Sequence, residues 1–184
     1  MEIKVENIVA TTTIAEQLEL NKVMVYLKGG TFNPERFPGL IYHSLQPKSA
    51  VLLFRSGKLV CTGTRTLDEV NKVITDIVKT LKKHNSGALG VVLKPQIQIQ
   101  NIVASADLET KIDLVQIAIT FGIERIEYEP EQFPGLVYRL KDPKTVCLLF
   151  SSGKVVCTGA TNIGDIRLAV EKIRKELSAA GFIR

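Results

Sequence analysis

The sequence is poor in the residues that usually build metal, disulfide or catalytic sites. It has 184 residues with no tryptophan, two histidines and three cysteines. Cys61, Cys147 and Cys157 show no Cys-x-x-Cys spacing, so we expect buried free thiols and neither a disulfide framework nor a metal site. His43 and His84 are too few and too far apart for a metal site. No nucleophile and base stand in a catalytic pattern and no glycine-rich loop precedes a helix, so neither an enzyme nor a bound cofactor is predicted.

Long apolar runs and a secretory leader are also missing. No run approaches the roughly 18 apolar residues that span a membrane, and the start MEIKVENIVA has no basic region before an apolar core. We therefore expect a soluble, intracellular protein with no membrane partner. Hydrophobic residues make up 45% and charged residues 23% of the chain, as in globular proteins. The net charge of +5 is compatible with a polyanionic partner but does not require one.

The most informative feature is an internal repeat. Residues 35–63 recur as 131–159 at a constant offset of 96 without a gap, with Phe-Pro-Gly-Leu, Leu-Leu-Phe, Ser-Gly-Lys and Val-Cys-Thr-Gly in both copies. Asn-Ile-Val-Ala begins at Asn7 and again at Asn101, an offset of 94. A match of this length indicates a duplicated structural unit. We predict a first repeat over 1–90 and a second over 91–184, fused into one sheet because the join between them is short.

Each repeat reads as a strand, a short helix, four strands and a long amphipathic helix. The short helices are expected near Leu20–Leu27 and Leu114–Phe121. A capping box begins the first long helix at Thr66, and the buried stripe of this helix should begin at Leu67. Asn162 is the expected N-cap of the second long helix. Consecutive hairpins predict antiparallel pairing and hence an α+β fold.

The strands of each repeat carry apolar residues on both faces. In one strand Val146, Leu148 and Phe150 should point one way, and Cys147 and Leu149 the other. The first repeat shows the same pattern. Two long and two short helices can cover only one face of the sheet, so the other face would remain an open apolar patch. A patch of this size is usually an interaction surface.

The polar residues around this open face favour a nucleic acid as the partner. If Val9 and Val103 lie on it, Asn7 and Asn101 do too, whereas no aspartate or glutamate is expected there. Basic or polar groups are expected at strand ends and turns: His43, Arg55, Lys58, Arg65, Arg139 and Lys154. An uncharged apolar floor flanked by cations, present twice, suits the minor groove of DNA. That groove shows mainly acceptors at A·T pairs between walls of phosphate.

The repeated motifs resemble those of one family over essentially the whole chain. Both Asn-Ile-Val-Ala strands, both Phe-Pro-Gly-Leu segments, both Leu-Leu-Phe-x-Ser-Gly-Lys hairpins and both Cys-Thr-Gly exits are similar to those of TATA-box-binding proteins of the archaeal type. The resemblance implies a saddle, with one curved ten-stranded antiparallel sheet and four helices on its convex face. It implies a general transcription initiation factor that binds the TATA box in the minor groove and kinks the duplex with paired phenylalanines. Such a factor nucleates the preinitiation complex with transcription factor B and RNA polymerase.

The resemblance also assigns roles to individual residues. The intercalating pairs would be Phe37 with Phe54 and Phe133 with Phe150. Minor-groove contacts would come from Asn7, Val9, Leu52, Val60, Thr62, Asn101, Val103, Leu148, Val156 and Thr158. Phosphate contacts would come from Ser56, Lys58, Arg65, Arg139, Ser152 and Lys154. Transcription factor B would contact Glu129, Glu131 and Gln132.

The two repeats differ at two cationic positions, which makes unequal phosphate contacts an expectation. His43 stands where the second repeat has Arg139, and Thr161 stands where the first has Arg65.

An archaeal member would be cytoplasmic and associated with the nucleoid, whereas a eukaryotic one would be nuclear. Without DNA, the open face is a candidate surface for self-association.

Two other function classes stay open at this point. A pseudo-symmetric curved-sheet module that holds an apolar small molecule would have a closed pocket and show little salt dependence. A nucleic-acid enzyme that uses the same sheet for targeting would need catalytic carboxylates on the open face, where none is expected. DNA binding instead predicts a salt-sensitive affinity.

Overall fold

A computed structural model describes all 184 residues, with four α-helices and eleven β-strands. Nine strands belong to one large sheet, and the other two form a separate short ladder. The backbone divides into two compact units. The amino-terminal unit comprises Asn7–Gln100, and the carboxy-terminal unit comprises Asn101–Arg184 together with Met1–Glu6.

The amino-terminal unit holds four strands of the large sheet and two helices. Its elements, with the whole of the first strand, are β1 (Ile3–Thr13), β2 (Gln17–Leu18), α1 (Leu20–Met24), β3 (Leu40–Leu45), β4 (Lys48–Leu53), β5 (Lys58–Thr64), α2 (Leu67–His84) and β6 (Ala88–Leu89). The strands pair in the order β3-β4-β5-β1, and all of these pairs are antiparallel. The short ladder joins β2 to β6.

The carboxy-terminal unit repeats this arrangement with one more strand. Its elements, with the whole of the first strand, are β7 (Gln98–Asp107), α3 (Leu114–Phe121), β8 (Ile126–Glu127), β9 (Leu136–Lys141), β10 (Lys144–Leu149), β11 (Lys154–Ala160) and α4 (Ile163–Ala179). The strands pair antiparallel in the order β7-β11-β10-β9-β8. The predicted α+β class, the duplication and the four helices agree with this architecture.

The large sheet has nine strands, so the expectation of ten is wrong. The missing strand is the counterpart of β8 in the amino-terminal unit. There Thr31 and Ile41 form a single bridge, each donating its N–H to the other's carbonyl oxygen, at 2.8 and 2.9 Å. Gly29 and Gly30 precede the bridge, and Gly29 has a φ of +85°. Glycine has no side chain to pack and leaves the backbone its full freedom, so the strand does not extend.

One face of each set of strands packs against helices of the same unit. Buried and half-buried residues alternate along β4, β5, β10 and β11, which confirms the predicted two-sided pattern. Opposite the buried strand residues, α2 buries Val70, Val73, Ile74, Ile77, Val78 and Leu81. In the other unit α4 buries Ile166, Ala169, Val170, Ile173 and Leu177. Leu67 is 56% exposed, so its predicted place at the start of the stripe is wrong.

The helix ends follow their local sequence signals. Oγ1 of Thr66 accepts from the N–H of Glu69 at 3.1 Å, and Oδ1 of Asn162 accepts from the N–H of Asp165 at 2.8 Å, so both residues are N-caps as predicted. The return bond of the predicted capping box differs, because Oε2 of Glu69 accepts from the N–H of Arg65 at 2.7 Å and not from that of Thr66. The helix α3 has its predicted bounds, but α1 ends at Met24 and not at Leu27. The three residues that follow α1 bond to carbonyls three positions earlier, so the chain tightens into turns there.

Candidate nucleic-acid interface

Each unit presents one strand face that its helices leave partly accessible. In the amino-terminal unit, Asn7, Val9, Leu52, Val60 and Thr62 are half-buried, whereas the residues that alternate with them are buried. The strand register sets Leu52 directly opposite Val60. We call these five residues the amino-terminal open face.

The carboxy-terminal unit repeats this surface at matched positions. Asn101, Val103, Leu148, Val156 and Thr158 are half-buried, and Leu148 stands directly opposite Val156. We call these five residues the carboxy-terminal open face. The ten residues proposed for minor-groove contact are therefore brought together as two sets of five, one in each unit.

Four further half-buried residues lie directly beside the two open faces and were missed from the sequence. The register places Ile41 opposite Leu52, Thr11 opposite Val60, Val137 opposite Leu148, and Ser105 opposite Val156. Counting by two along β1 and β7 would have found the threonine and the serine. Ile41 and Val137, on β3 and β9, could be assigned to the open side only from the strand register, because the sequences of these two strands do not show which side is open.

The expectation that no acidic side chain reaches the open face is wrong. Oγ of Ser105 donates to Oε1 of Glu6 at 2.8 Å, so this carboxylate lies beside the carboxy-terminal open face. At the corresponding place in the other unit, Nε2 of Gln100 donates to Oγ1 of Thr11 at 2.8 Å. Alternation along a strand predicts only the direction of each Cβ. A long side chain such as that of glutamate can still reach a neighbouring strand on either side. The two units thus hold an anion and a neutral amide at matched positions.

A pair of phenylalanine rings stands beside each open face. The centroids of Phe37 and Phe54 are 5.9 Å apart with an interplanar angle of 68°. The centroids of Phe133 and Phe150 are 6.0 Å apart at 71°. Both pairs are edge-to-face, the geometry that the ring quadrupoles favour. Phe133 is 40% exposed, whereas the other three rings are half-buried.

A buried glycine supports each ring pair. A Cβ at Gly135 would lie 2.6 Å from Cε1 of Phe133 and 3.1 Å from Cε1 of Phe150. The equivalent distances at Gly39 are 2.7 Å to Phe37 and 3.1 Å to Phe54. Both glycines come from the Phe-Pro-Gly-Leu motif. Its glycine is therefore required for space beneath the aromatic pair and not only for a turn.

A tight hairpin turn holds the second ring of each pair. In the carboxy-terminal unit the N–H of Phe150 donates to Lys154 O at 3.0 Å, and the N–H of Gly153 donates to Phe150 O at 2.9 Å. Gly153 has a φ of +94°, and a Cβ there would lie 2.1 Å from the carbonyl oxygen of Thr110. Only glycine fits this turn. Phe150 lies just beyond β10, so the turn and not the strand sets its position.

The amino-terminal asparagine is held in one orientation. The backbone N–H of Gly63 donates to Oδ1 of Asn7 at 2.7 Å, and Nδ2 of Asn7 donates to Oγ1 of Thr62 at 3.1 Å. Because a backbone N–H can only donate, the atom that it meets must be the amide oxygen. The amide nitrogen carries two hydrogens and uses one on the threonine. The second hydrogen is available to an acceptor on a ligand.

The carboxy-terminal asparagine repeats this network. The N–H of Gly159 donates to Oδ1 of Asn101 at 2.7 Å, and Nδ2 of Asn101 donates to Oγ1 of Thr158 at 2.9 Å. The β7–β11 register shifts between Cys157 and Ala160, and Gly159 lies inside this bulge with a φ of +98°. A bulge releases its extra residue from the strand ladder. The glycine N–H is thereby free to orient the asparagine.

The proposed phosphate contacts are all exposed. Ser56, Lys58, Ser152 and Lys154 lie at strand ends or turns, and Arg65 lies in the loop before α2. Arg139 and His43 instead lie inside β9 and β3, so their expected places at strand ends or turns are wrong; both are exposed because the strand alternation turns their side chains to solvent. Nη2 of Arg139 lies 3.4 Å from Oε2 of Glu127, with both side chains 58% exposed. Such an exposed ion pair is weak and can exchange for a phosphate. His43 and Thr161 are exposed at the matched positions, so the cationic side chains of the two units differ as expected.

The residues proposed for transcription factor B lie on the turn that carries Phe133. Glu129, Glu131 and Gln132 are exposed, and the carbonyl oxygen of Glu129 accepts from the N–H groups of both Gln132 and Phe133 at 3.0 Å. The matched turn of the other unit carries Asn33, Glu35 and Arg36. The two turns therefore have the same backbone role and different charges.

The possible metal ligands are scattered over the fold, and the cysteines are buried. No group of three or more His, Cys, Asp or Glu side chains is placed to hold a metal ion. All three cysteines are buried free thiols, as predicted. Burial raises the pKa of Cys61 to about 11, and a hydrogen bond to Cys157 together with burial raises the pKa of Cys147. None of the four helices is long and apolar enough to cross a membrane.

The chain matches one protein family along both repeats. The sequence model of the family described as "Transcription factor TFIID (or TATA-binding protein, TBP)" matches residues 2–84 and 96–180. The TATA-box-binding protein of Picrophilus torridus is 53% identical over 181 residues, which cover 98% of this chain and 97% of that protein. The TATA-box-binding protein of Archaeoglobus fulgidus is 48% identical, with the same shares covered.

A solved structure shows the same fold. The Methanococcus jannaschii TBP matches with a TM-score of 0.90 and 45% sequence identity, over 97% of this chain and 99% of that chain. The likeness extends over both units and includes nearly every element described above.

Proposed function

Because the chain belongs to the TATA-binding protein family, we propose that it is a general transcription initiation factor that binds the TATA box of promoters in the minor groove. One observation carries the proposal beyond the family name. Two apolar strand faces each combine an aromatic pair with an asparagine whose amide nitrogen is oriented as a donor.

The asparagines explain a preference for A·T pairs. In the minor groove these pairs show only the acceptors N3 of adenine and O2 of thymine, whereas G·C pairs add the N2 amino donor of guanine. The spare hydrogens on Nδ2 of Asn7 and Asn101 would meet acceptors at A·T pairs and another donor at G·C pairs. The bulge glycines prevent a flipped amide, because a flip would set the amide nitrogen against a backbone N–H.

The phenylalanine pairs would supply the kink. Inserting apolar side chains between base steps costs a few kcal/mol per step in lost stacking. Each phenylalanine can bury about 150 Å² or more, which offsets about 4 kcal/mol at 25 cal/mol per Å². Two rings per unit therefore balance the cost of one opened step, and the apolar open faces add to the gain. Bending favours steps that unstack easily, such as T-A steps.

The exposed cations make the affinity depend on salt. Lys58, Lys154, Arg65 and Arg139 would neutralise phosphates and release counterions. Four such contacts give a slope of log K against log salt concentration of about −4. The module for apolar small molecules, the alternative function, predicts almost no slope.

We further propose that the turn of Glu129, Glu131 and Gln132 binds transcription factor B, with RNA polymerase recruited afterwards. The turn is exposed and carries two carboxylates next to the inserted Phe133, so a protein bound there would lie beside the kink. Replacing both glutamates with glutamine should abolish the ternary complex in a mobility-shift assay with DNA binding unchanged. The matched control is Glu35→Gln, which should have no effect; equal loss in both variants would contradict this assignment.

Competition between TATA and scrambled duplexes tests the main proposal. Donor and acceptor dyes at the duplex ends report the bend by resonance energy transfer. We expect tighter binding to the TATA duplex and a rise in transfer on binding. Equal affinity for both duplexes, or binding without a change in transfer, would refute it. Sedimentation of DNA-free protein, with and without TATA duplex, tests whether self-association uses the open faces.

A further inference from the structure

The amino-terminal unit contains a cleft that the DNA-binding proposal does not use. Its volume is about 490 Å³, and it opens between β3, α2 and the segment after α1. Its lining includes Leu27, Lys28, Tyr42, Val73, Ile77 and Thr80. None of them belongs to either open face. Tyr42 is half-buried there, so its hydroxyl remains accessible from the cleft.

The matched place in the carboxy-terminal unit is filled by that unit's own side chains. Tyr138, the counterpart of Tyr42, is fully buried and donates its hydroxyl hydrogen to Oε2 of Glu176. The ring of Phe121 packs edge-on against Tyr138 with centroids 5.9 Å apart, and Phe182 lies 6.3 Å from Phe121. Two aromatic rings and one carboxylate therefore complete this site.

Three differences leave the amino-terminal cleft empty of such groups. Leu27 stands where the other unit has Phe121, and Thr80 stands where it has Glu176. Phe182 has no counterpart, because the chain leaves α2 through Asn85 with a φ of +47° and continues into β6. The amino-terminal cleft thus has a tyrosine hydroxyl and an apolar wall. It lacks the aromatic ring and the carboxylate that contact the equivalent groups in the carboxy-terminal unit.

The charges around the cleft favour an acidic occupant. Lys79, Lys82 and Lys83 near the end of α2 are exposed and lie outside the lining, where they add positive charge to this end of the helix. Lys28 lines the cleft directly. The one carboxylate in the lining, Asp76, already pairs with Lys72 at 2.9 Å.

We infer that this cleft docks an acidic segment of a partner protein through one phenylalanine side chain. The ring takes the place that Phe182 holds in the other unit, against Leu27 and Tyr42. A carboxylate of the same segment accepts the hydroxyl hydrogen of Tyr42, as Glu176 does from Tyr138, and lies within the field of Lys28. The inference does not rest on DNA binding, because the cleft and the open faces share no residue.

A short peptide that imitates the chain's own filling segment serves as the probe. We would titrate acetyl-Glu-Ala-Ala-Gly-Phe-Ile-amide into the methyl-labelled protein and follow the resonances of Leu27, Val73 and Ile77. These three residues should shift together, and replacing the peptide's phenylalanine with alanine should weaken binding at least about tenfold. The double variant L27F/T80E introduces the phenylalanine and the carboxylate that fill the carboxy-terminal site, so its affinity for the peptide should fall by at least the same factor. If the double variant does not fold, T80E alone is tested. Val115→Thr, an exposed change on α3, should leave peptide binding unaltered.

Four results would overturn the inference. They are the absence of shifts at millimolar peptide, equal binding of the alanine peptide, shifts centred on the open faces, and undiminished binding to T80E. Sedimentation gives a further arm. If two copies of the protein associate and L27F/T80E abolishes that association, the occupant is a second copy and the inference of a partner segment is wrong.

Discussion

Replacing Gly135 with alanine tests whether binding needs the aromatic pair to be seated in one position. Gly135 is buried beneath Phe133 and Phe150, and it is not among the glycines with a positive φ. Alanine can therefore adopt its backbone conformation without strain. The added methyl group acts only through the space that it takes from the two rings.

The size of the effect follows from the contact distances. The new Cβ would lie 2.6 Å from Cε1 of Phe133, whereas carbon atoms pack best at about 3.5 Å or more, so the ring must move by about 0.9 Å. A misfit of that size forfeits about a quarter to a half of the contact energy. For a ring that contributes about 4 kcal/mol, the loss is about 1–2 kcal/mol, or roughly five- to thirtyfold in Kd.

The assay is fluorescence anisotropy of a labelled TATA duplex at fixed salt, together with thermal melting of the free protein. Gly164→Ala is the matched control, because its Cβ would meet only Oδ1 of Asn162 at 3.2 Å and no aromatic ring. The control should bind normally. An unchanged Kd for Gly135→Ala would refute the positional role of the rings. A loss of affinity that accompanies a large drop in melting temperature would show a role in folding instead.

Four further predictions test other parts of the interface and the core. Phe150→Ala should weaken TATA binding by at least about 2 kcal/mol, roughly thirtyfold, with little change in melting temperature; near-normal anisotropy titrations would contradict the insertion of Phe150 between base steps. Asn101→Asp keeps the bond from Gly159 but sets a carboxylate against minor-groove acceptors, so we expect at least about tenfold weaker binding in mobility shifts. Equal affinity would contradict the donor role. Lys154→Ala should reduce the salt slope by about 1, and an unchanged slope would exclude a phosphate contact. The buried Cys61 keeps its proton until its pKa of about 11, whereas the unfolded chain releases it from about 9.0, so the free energy of unfolding should fall as pH rises across this window. Cys61→Val should remove that component in denaturant titrations at either end of the window, and an equal fall in the variant would contradict the assignment.

Local periodicity was enough to predict much of the fold. The alternation of Val146, Cys147, Leu148 and Leu149 identified two apolar faces, and their burial in the structure follows that alternation. Capping residues such as Thr66 and Asn162 predicted helix starts because their hydrogen bonds involve residues only three positions away. The family resemblance then supplied the roles that periodicity cannot, and the similarity to known proteins confirms the family.

Two of the errors came from interactions beyond neighbouring residues in the chain. The sequence could not show that pairing at Thr31 stops after a single bridge, because this depends on how the backbone continues after the two preceding glycines. The carboxylate of Glu6 reaches Ser105 across nearly a hundred residues of sequence, so the strand phase of one segment could not reveal it. Neither residue type is unusual for its position, and only the pairing of strands distant in sequence made them informative.

The sequence by itself determined that this protein is duplicated, that its sheet has a second apolar face, and that the family of TATA-binding proteins shares its motifs. Those properties follow from the spacing and repetition of residue types along the chain, which can be seen without knowing which distant residues are in contact. Only the tertiary structure decided which way the amides of Asn7 and Asn101 point, because a glycine N–H freed by a strand bulge orients each one. Packing also decided that the Phe-Pro-Gly glycine makes room for two rings. It decided too that one of two matched sites is filled while the other stays open, since that depends on where the chain goes after each long helix.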